Sequence, residues 1–97
     1  MSTMIPRGNI LNLYAFTATI NPASVATVTT AEQDVTVTGV KLGDIVISVS
    51  KPSLTAGLGI VNARVKAADT ISIQYVNPTA GAVDAGSESY TIVIARP

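Results

Sequence analysis

The chain has 97 residues, six basic and six acidic side chains, a formal net charge of zero, and 47% hydrophobic against 12% charged residues. That length supports one domain with a modest core, and the charge balance provides no long-range field to steer nucleic acid or an anionic membrane surface, so neither is expected as a partner. There is no His, Cys or Trp, which removes disulfides, thiol chemistry and the usual proton shuttle and metal ligand.

Residues 1–9, with Pro6 and Gly8, show no period and read as an extended arm, followed by a single domain over 10–97. From Ile10 the pattern is that of β-structure, dominated by Val, Ile and Thr, whose branching at Cβ suits a pleated surface. The first strand is expected over 10–20, stopped by Asn21-Pro22 because proline has no N–H for a ladder. A weaker, threonine-rich strand is expected over 24–31 and another over 34–38, where Val35 and Val37 share one face. Gly39 and Gly43 bracket a turn into a strand over 44–51, with Ile45, Ile47 and Val49 inward and Pro52 as its stop.

After a loop at 53–57, alternation resumes over 58–67, with Val61, Ala63 and Val65 inward and Asn62, Arg64 and Lys66 outward. A turn at Ala68-Asp69 leads to a strand over 70–77 bearing Ile71, Ile73 and Tyr75 on its apolar face. The 77–81 stretch has loop chemistry, and a last strand over 89–96 carries Tyr90, Ile92 and Ile94. About seven strands at this spacing predict an all-β fold, an antiparallel β-sandwich of jelly-roll or immunoglobulin-like type. The expected core is Ile45, Ile47, Val49, Val61, Val65, Ile71, Ile73, Ile92 and Ile94.

Candidate chemical sites are few. Glu32 and Asp34 sit two apart, but nothing near them in sequence would separate their pKa values for acid–base work, so they read as a solvated turn, as do Asp44, Asp69 and Asp84 at loop or strand-start positions. Gly57-Leu58-Gly59 precedes a strand, whereas a phosphate loop needs a helix N-terminus. The serines and threonines lack an activating base. Tyr14, Phe16, Tyr75 and Tyr90 occupy alternating strand positions where core packing explains them better than a sugar-stacking platform. The expectation is a protein with no catalytic, cofactor or metal residues, and not an enzyme. The outward row Asn62, Arg64 and Lys66 reads either as a solubilising face or as a rim contact to an acidic protein partner.

Four stretches carry a resemblance: Thr38-Gly39-Val40-Lys41-Leu42-Gly43-Asp44-Ile45-Val46, Lys51-Pro52, Gly57-Leu58-Gly59-Ile60-Val61-Asn62-Ala63-Arg64-Val65, and residues 68–79 from Ala68-Asp69-Thr70 to Asn77-Pro78-Thr79. Over about the central two-fifths of the chain they resemble a pattern of small virion proteins of tailed bacteriophages, most like a capsid decoration (cement) protein. The resemblance implies binding to the major capsid protein on the outer surface of the virion, self-association as a homo-dimer or homo-trimer, and synthesis in the cytoplasm of the bacterial host. A tail-fibre or appendage module binding a receptor or glycan is the alternative.

Met1 at one end and a strand running to Pro97 at the other read as a complete small gene product, which favours decoration over a fibre module. Asn9, Asn12, Thr17 and Thr19 interrupt the one segment that resembles a signal peptide. The arm residues Met4, Ile5, Pro6 and Arg7, with Asn62, Arg64 and Lys66, are the candidate capsid or subunit contacts. Apolar side chains on an arm are costly unless a neighbour covers them.

Overall fold

The computed structural model describes residues 12–96. They form six strands and no helix: β1 (Asn12–Ile20), β2 (Thr29–Thr36), β3 (Ile45–Ser50), β4 (Gly59–Ala67), β5 (Thr70–Asn77) and β6 (Glu88–Arg96). Two three-stranded sheets result, ordered β1-β6-β3 and β2-β5-β4, and every pairing is antiparallel. Met4, Ile5, Pro6 and Arg7, and the whole arm at 1–9, lie outside the described residues.

The two central strands supply the heart of the core. Ile71, Ile73 and Tyr75 from β5 and Tyr90, Ile92 and Ile94 from β6 are all essentially inaccessible, and Ile20, Val25, Val37 and Val40 join the same cluster. The Tyr75 and Tyr90 hydroxyls meet at 3.0 Å inside it. A buried phenol without a partner would cost desolvation energy, and each ring here supplies the other's partner across the two sheets. Burial, reinforced by the Tyr90 hydrogen bond, raises the pKa of the Tyr75 phenol far above the ordinary tyrosine range.

The expected strands over 24–31 and 34–38 merge into the single strand β2, so the described residues form six strands where about seven were expected of the chain. The backbone before β2 is engaged elsewhere. Ala23 N donates to Gln33 Oε1 at 2.7 Å while Gln33 Nε2 donates to Ala23 O at 3.0 Å, a side-chain amide taking the place of a ladder partner. Val25 exchanges both backbone hydrogen bonds with Val83, at 2.8 and 3.0 Å. Val28 then turns the chain at φ +47°, a left-handed conformation that interrupts any strand.

Period-2 alternation also misplaces three core residues. Ile71, Ile73, Ile92 and Ile94 are buried as expected, and Val49 and Val65 pack partly buried against them, but Ile45, Ile47 and Val61 are 47%, 54% and 58% exposed. The cause is a bulge in each edge strand on this side. Val46 pairs with Ile94 and Ser48 with Val93, leaving Ile47 as the extra residue; Ile60 pairs with Tyr75 and Asn62 with Gln74, leaving Val61 as the extra residue. One inserted residue reverses the facing of what lies on either side. Val46 and Val49 therefore face the core and Ile45 faces out.

Asp44, expected in a solvated strand start, is instead buried. Its Oδ2 accepts from Lys41 N at 2.8 Å, and Arg96 clamps both carboxylate oxygens, Nε to Oδ1 at 2.9 Å and an Nη to Oδ2 at 2.8 Å. The same guanidinium donates to Gly39 O at 3.0 Å and lies 4.6 Å over the Tyr14 ring. Gly39 itself has φ +108°, and a Cβ there would come within 2.7 Å of Phe16 Cε1, so the turn requires glycine twice over. Asp69, at the exposed β4–β5 turn, accepts from Gly39 N at 2.8 Å and ties that turn to this one.

Candidate functional site

The two outward faces of the sheets differ in chemistry. On the β2-β5-β4 sheet the register sets Glu32, Gln74 and Asn62 in one cross-strand row and Asp34, Ser72 and Arg64 in the next. Arg64 reaches diagonally to Glu32 at 3.0 Å, and Lys66, displaced by the second bulge of β4, reaches Asp34 at 2.8 Å. The Ser72 hydroxyl, buried beneath these pairs, donates to Asp34. Lys66 and Ser72 hold the Asp34 carboxyl below the usual aspartate range.

Asn62, Arg64 and Lys66 are therefore gathered on one exposed face as the alternation indicated. Both cations, however, are matched by Glu32 and Asp34, which lie in β2 and not in a solvated turn. Exposed pairs of this kind contribute little stability, but they leave no surplus positive charge to offer an acidic partner. The signal for the match was present in the sequence: an acidic doublet spaced two apart on one strand and a basic doublet spaced two apart on another.

The β1-β6-β3 sheet presents the opposite surface. Its outward rows are Leu13, Ala95 and Ile45, then Ala15, Val93 and Ser48, then Thr17, Thr91 and Ser50, with the bulged Ile47 beside the middle row. None of these side chains ionises. Leu13, Ile45 and Ile47 are 63%, 47% and 54% exposed, while Ala95 is sealed between its neighbours. These bulky apolar side chains lie together on one sheet face instead of being scattered singly, and covering them would remove apolar surface from water. Ile60 and Val61 extend the apolar character around the side of the molecule, where they line a groove of about 280 Å³ with Val46, Ile47 and Ala63.

A cleft of about 350 Å³ lies under the β3–β4 loop and is lined by Leu54, Thr55, Leu58, Ile60, Lys51 and Tyr75 among others. Its polar groups are engaged with one another. Lys51 Nζ pairs with Glu88 at 2.9 Å and donates to Thr55 Oγ1 at 3.1 Å, and Ser53 donates to Glu88 Oε2 through both its hydroxyl and its backbone N–H. Lys51, followed by Ser53, keeps the Glu88 carboxyl below its ordinary range. Of the four aromatics weighed as a platform, Tyr75 and Tyr90 are core, Phe16 packs against the core, and Tyr14 has Arg96 over its face.

The glycine loop Gly57-Leu58-Gly59 has a mechanical explanation. Gly57 sits at φ +80°, where a Cβ would meet Thr79 Cγ2 at 2.6 Å. Thr79 is fixed in turn by Asn77, fully buried at the end of β5, whose Oδ1 accepts from Thr79 N at 2.9 Å and whose Nδ2 donates to Val25 O and Gly81 O at 2.9 and 2.8 Å. Asn77 thus organises the long β5–β6 connection. Comparison with known proteins finds no family model, curated protein or solved structure that matches the chain.

Proposed function

We propose that this chain is a structural virion protein of a tailed bacteriophage, a decoration protein that binds the outer capsid surface and reinforces it, acting by contact and not by catalysis. The observation that carries this reading is the uncharged outer face of the β1-β6-β3 sheet, with Leu13, Ile45 and Ile47 exposed on it. A cement protein needs a rigid body with one face that gains by being covered, and this sheet has such a face. The resemblance of residues 38–79 to small phage virion proteins supplies the identity of the partner, the major capsid protein. Binding the assembled shell but not its unfolded subunits stabilises the shell by mass action.

In this reading the fold is an immunoglobulin-like β-sandwich and not a jelly roll. The order β2-β5-β4 corresponds to strands B, E and D of that fold, and β3-β6 to C and F, with β1 in the seat that strand G occupies.

The test mixes the purified protein with undecorated capsids and measures co-sedimentation and the temperature at which the shells lose integrity. Wild type is expected to co-sediment and raise that temperature, and Ile47→Asp to do neither while keeping its own melting temperature. A wild-type protein that leaves the shells unbound and no more heat-resistant would eliminate the decoration reading and move the tail-appendage alternative ahead.

A further inference from the structure

Among the described residues, β1, β2, β3 and β4 each have one long edge without a ladder partner. Such an edge is a row of unsatisfied N–H and C=O groups and a template for another strand unless something guards it. Three of the four are guarded. β2 carries the charged Glu32 and Asp34; β3 is only six residues long and broken by the Ile47 bulge; β4 carries Arg64 and Lys66 and two bulges.

β1 has none of these devices. It runs nine residues, Asn12–Ile20, in unbroken register with β6, with no bulge, proline or ionisable side chain other than the Tyr14 phenol. Its outward residues Leu13, Ala15, Thr17 and Thr19 are exposed.

We propose that the free edge of β1 pairs with the same edge of a second copy of this chain, antiparallel about a two-fold axis, to make one continuous six-stranded sheet. An edge paired with itself by a two-fold is self-complementary in its backbone donors and acceptors. The side chains add the condition that like must tolerate like, since a charge near the axis would face its own copy. Only β1 and β3 meet that condition, since every side chain from Asn12 to Ile20 and from Ile45 to Ser50 is uncharged; β3 is short and broken by its bulge, which leaves β1 as the one long regular edge where any register sets neutral against neutral. The pairing also joins the two uncharged outer faces into a single platform with Leu13, Ile45 and Ile47 from both copies. It requires no shell contact and is tested without one.

The experiment is sedimentation velocity on the full chain over a concentration series from micromolar upward. Wild type is expected to be a dimer; Thr17→Lys, which places two like charges near the axis, should weaken association by about tenfold or more, while Thr30→Lys on the β2 edge leaves it unchanged. The absence of Cys from the chain allows an independent check. Single Ala15→Cys and Thr17→Cys variants under mild oxidation should give an interchain disulfide for at least one position, and Thr30→Cys should give none. This second readout decides the matter if Thr17→Lys fails to fold. A wild type that stays monomeric throughout, a trimer, or a dimer that cross-links through Thr30→Cys as readily as through β1 would overturn the proposal.

Discussion

The outward faces of the two sheets have the same architecture and opposite chemistry. Each is a three-stranded antiparallel surface over the same core. One is closed by two ion pairs, Arg64 with Glu32 and Lys66 with Asp34, over a buried Ser72; the other exposes Leu13, Ile45 and Ile47 with no charge among them. The charges most conspicuous in a sequence can thus be neutralised within their own sheet, while the neighbouring sheet leaves bulky apolar side chains uncovered. The basic row most visible in the sequence is internally satisfied and behaves as a solvent-facing surface. Among the described residues, the face without ionisable side chains is the one that would gain more free energy from being covered.

The strongest way to test the assignment of faces is to truncate two isoleucines that alternation alone treats alike. Ile73→Ala, at a fully buried position, is expected to cost about 2–5 kcal/mol. Ile47→Ala, on the exposed bulge, is expected to stay within about 0.5 kcal/mol of wild type. Chemical denaturation measures both, and equal losses would show that the bulge does not turn Ile47 outward.

A smaller effect is expected from Asp44→Asn. It takes the bidentate partner from Arg96 at the corner where β3 begins and β6 ends, but keeps an oxygen for Lys41 N. Its fall in melting temperature should lie between those of the two isoleucine variants. If it matches Ile47→Ala, the corner contributes nothing to the rigidity of the uncharged sheet.

The same carboxylate sets a pH dependence. The carboxyls of Asp44, Glu88 and Asp34 are all held below their ordinary range, by Arg96, Lys51 and Lys66 respectively. A group whose pKa is lower folded than unfolded contributes stability above its unfolded value and loses it as pH falls through the folded value. The melting temperature should therefore be flat from neutral pH to about 5 and fall below about pH 4. Asp34 is exposed and adds least to that fall. In Asp44→Asn the acid decline should be shallower than in wild type, and an unchanged slope would remove Asp44 from the account.

The smallest effect belongs to the charged face. Lys66→Ala and Arg64→Ala should barely shift the melting temperature and, on the proposed decoration role, should leave capsid co-sedimentation intact where Ile47→Asp is expected to abolish it. Loss of shell binding on either charge deletion would reverse the comparison and restore the basic row as the contact.

Legible from residue order alone were the all-β antiparallel character, the strands from β3 to β6 to within a residue or so, the turn at Ala68-Asp69, and the burial of Ile71, Ile73, Tyr75, Tyr90, Ile92 and Ile94. These follow from local rules, β-branched composition, alternation and turn chemistry, which act within a few residues along the chain. That residues 24–38 give one strand depends on long-range packing, because the competing partners of that backbone, Gln33 and Val83, are a side chain and a distant loop.

Tertiary structure alone likewise turned Ile45, Ile47 and Val61 outward, since a bulge depends on the register with a neighbouring strand and leaves no local mark. It also buried Asp44 against an arginine 52 residues away. The charged face was half legible, in two doublets of matching spacing on strands that β5 holds apart. The uncharged face was not legible at all, because an apolar side chain on a strand reads as core until the three-dimensional fold shows which side of the sheet it occupies.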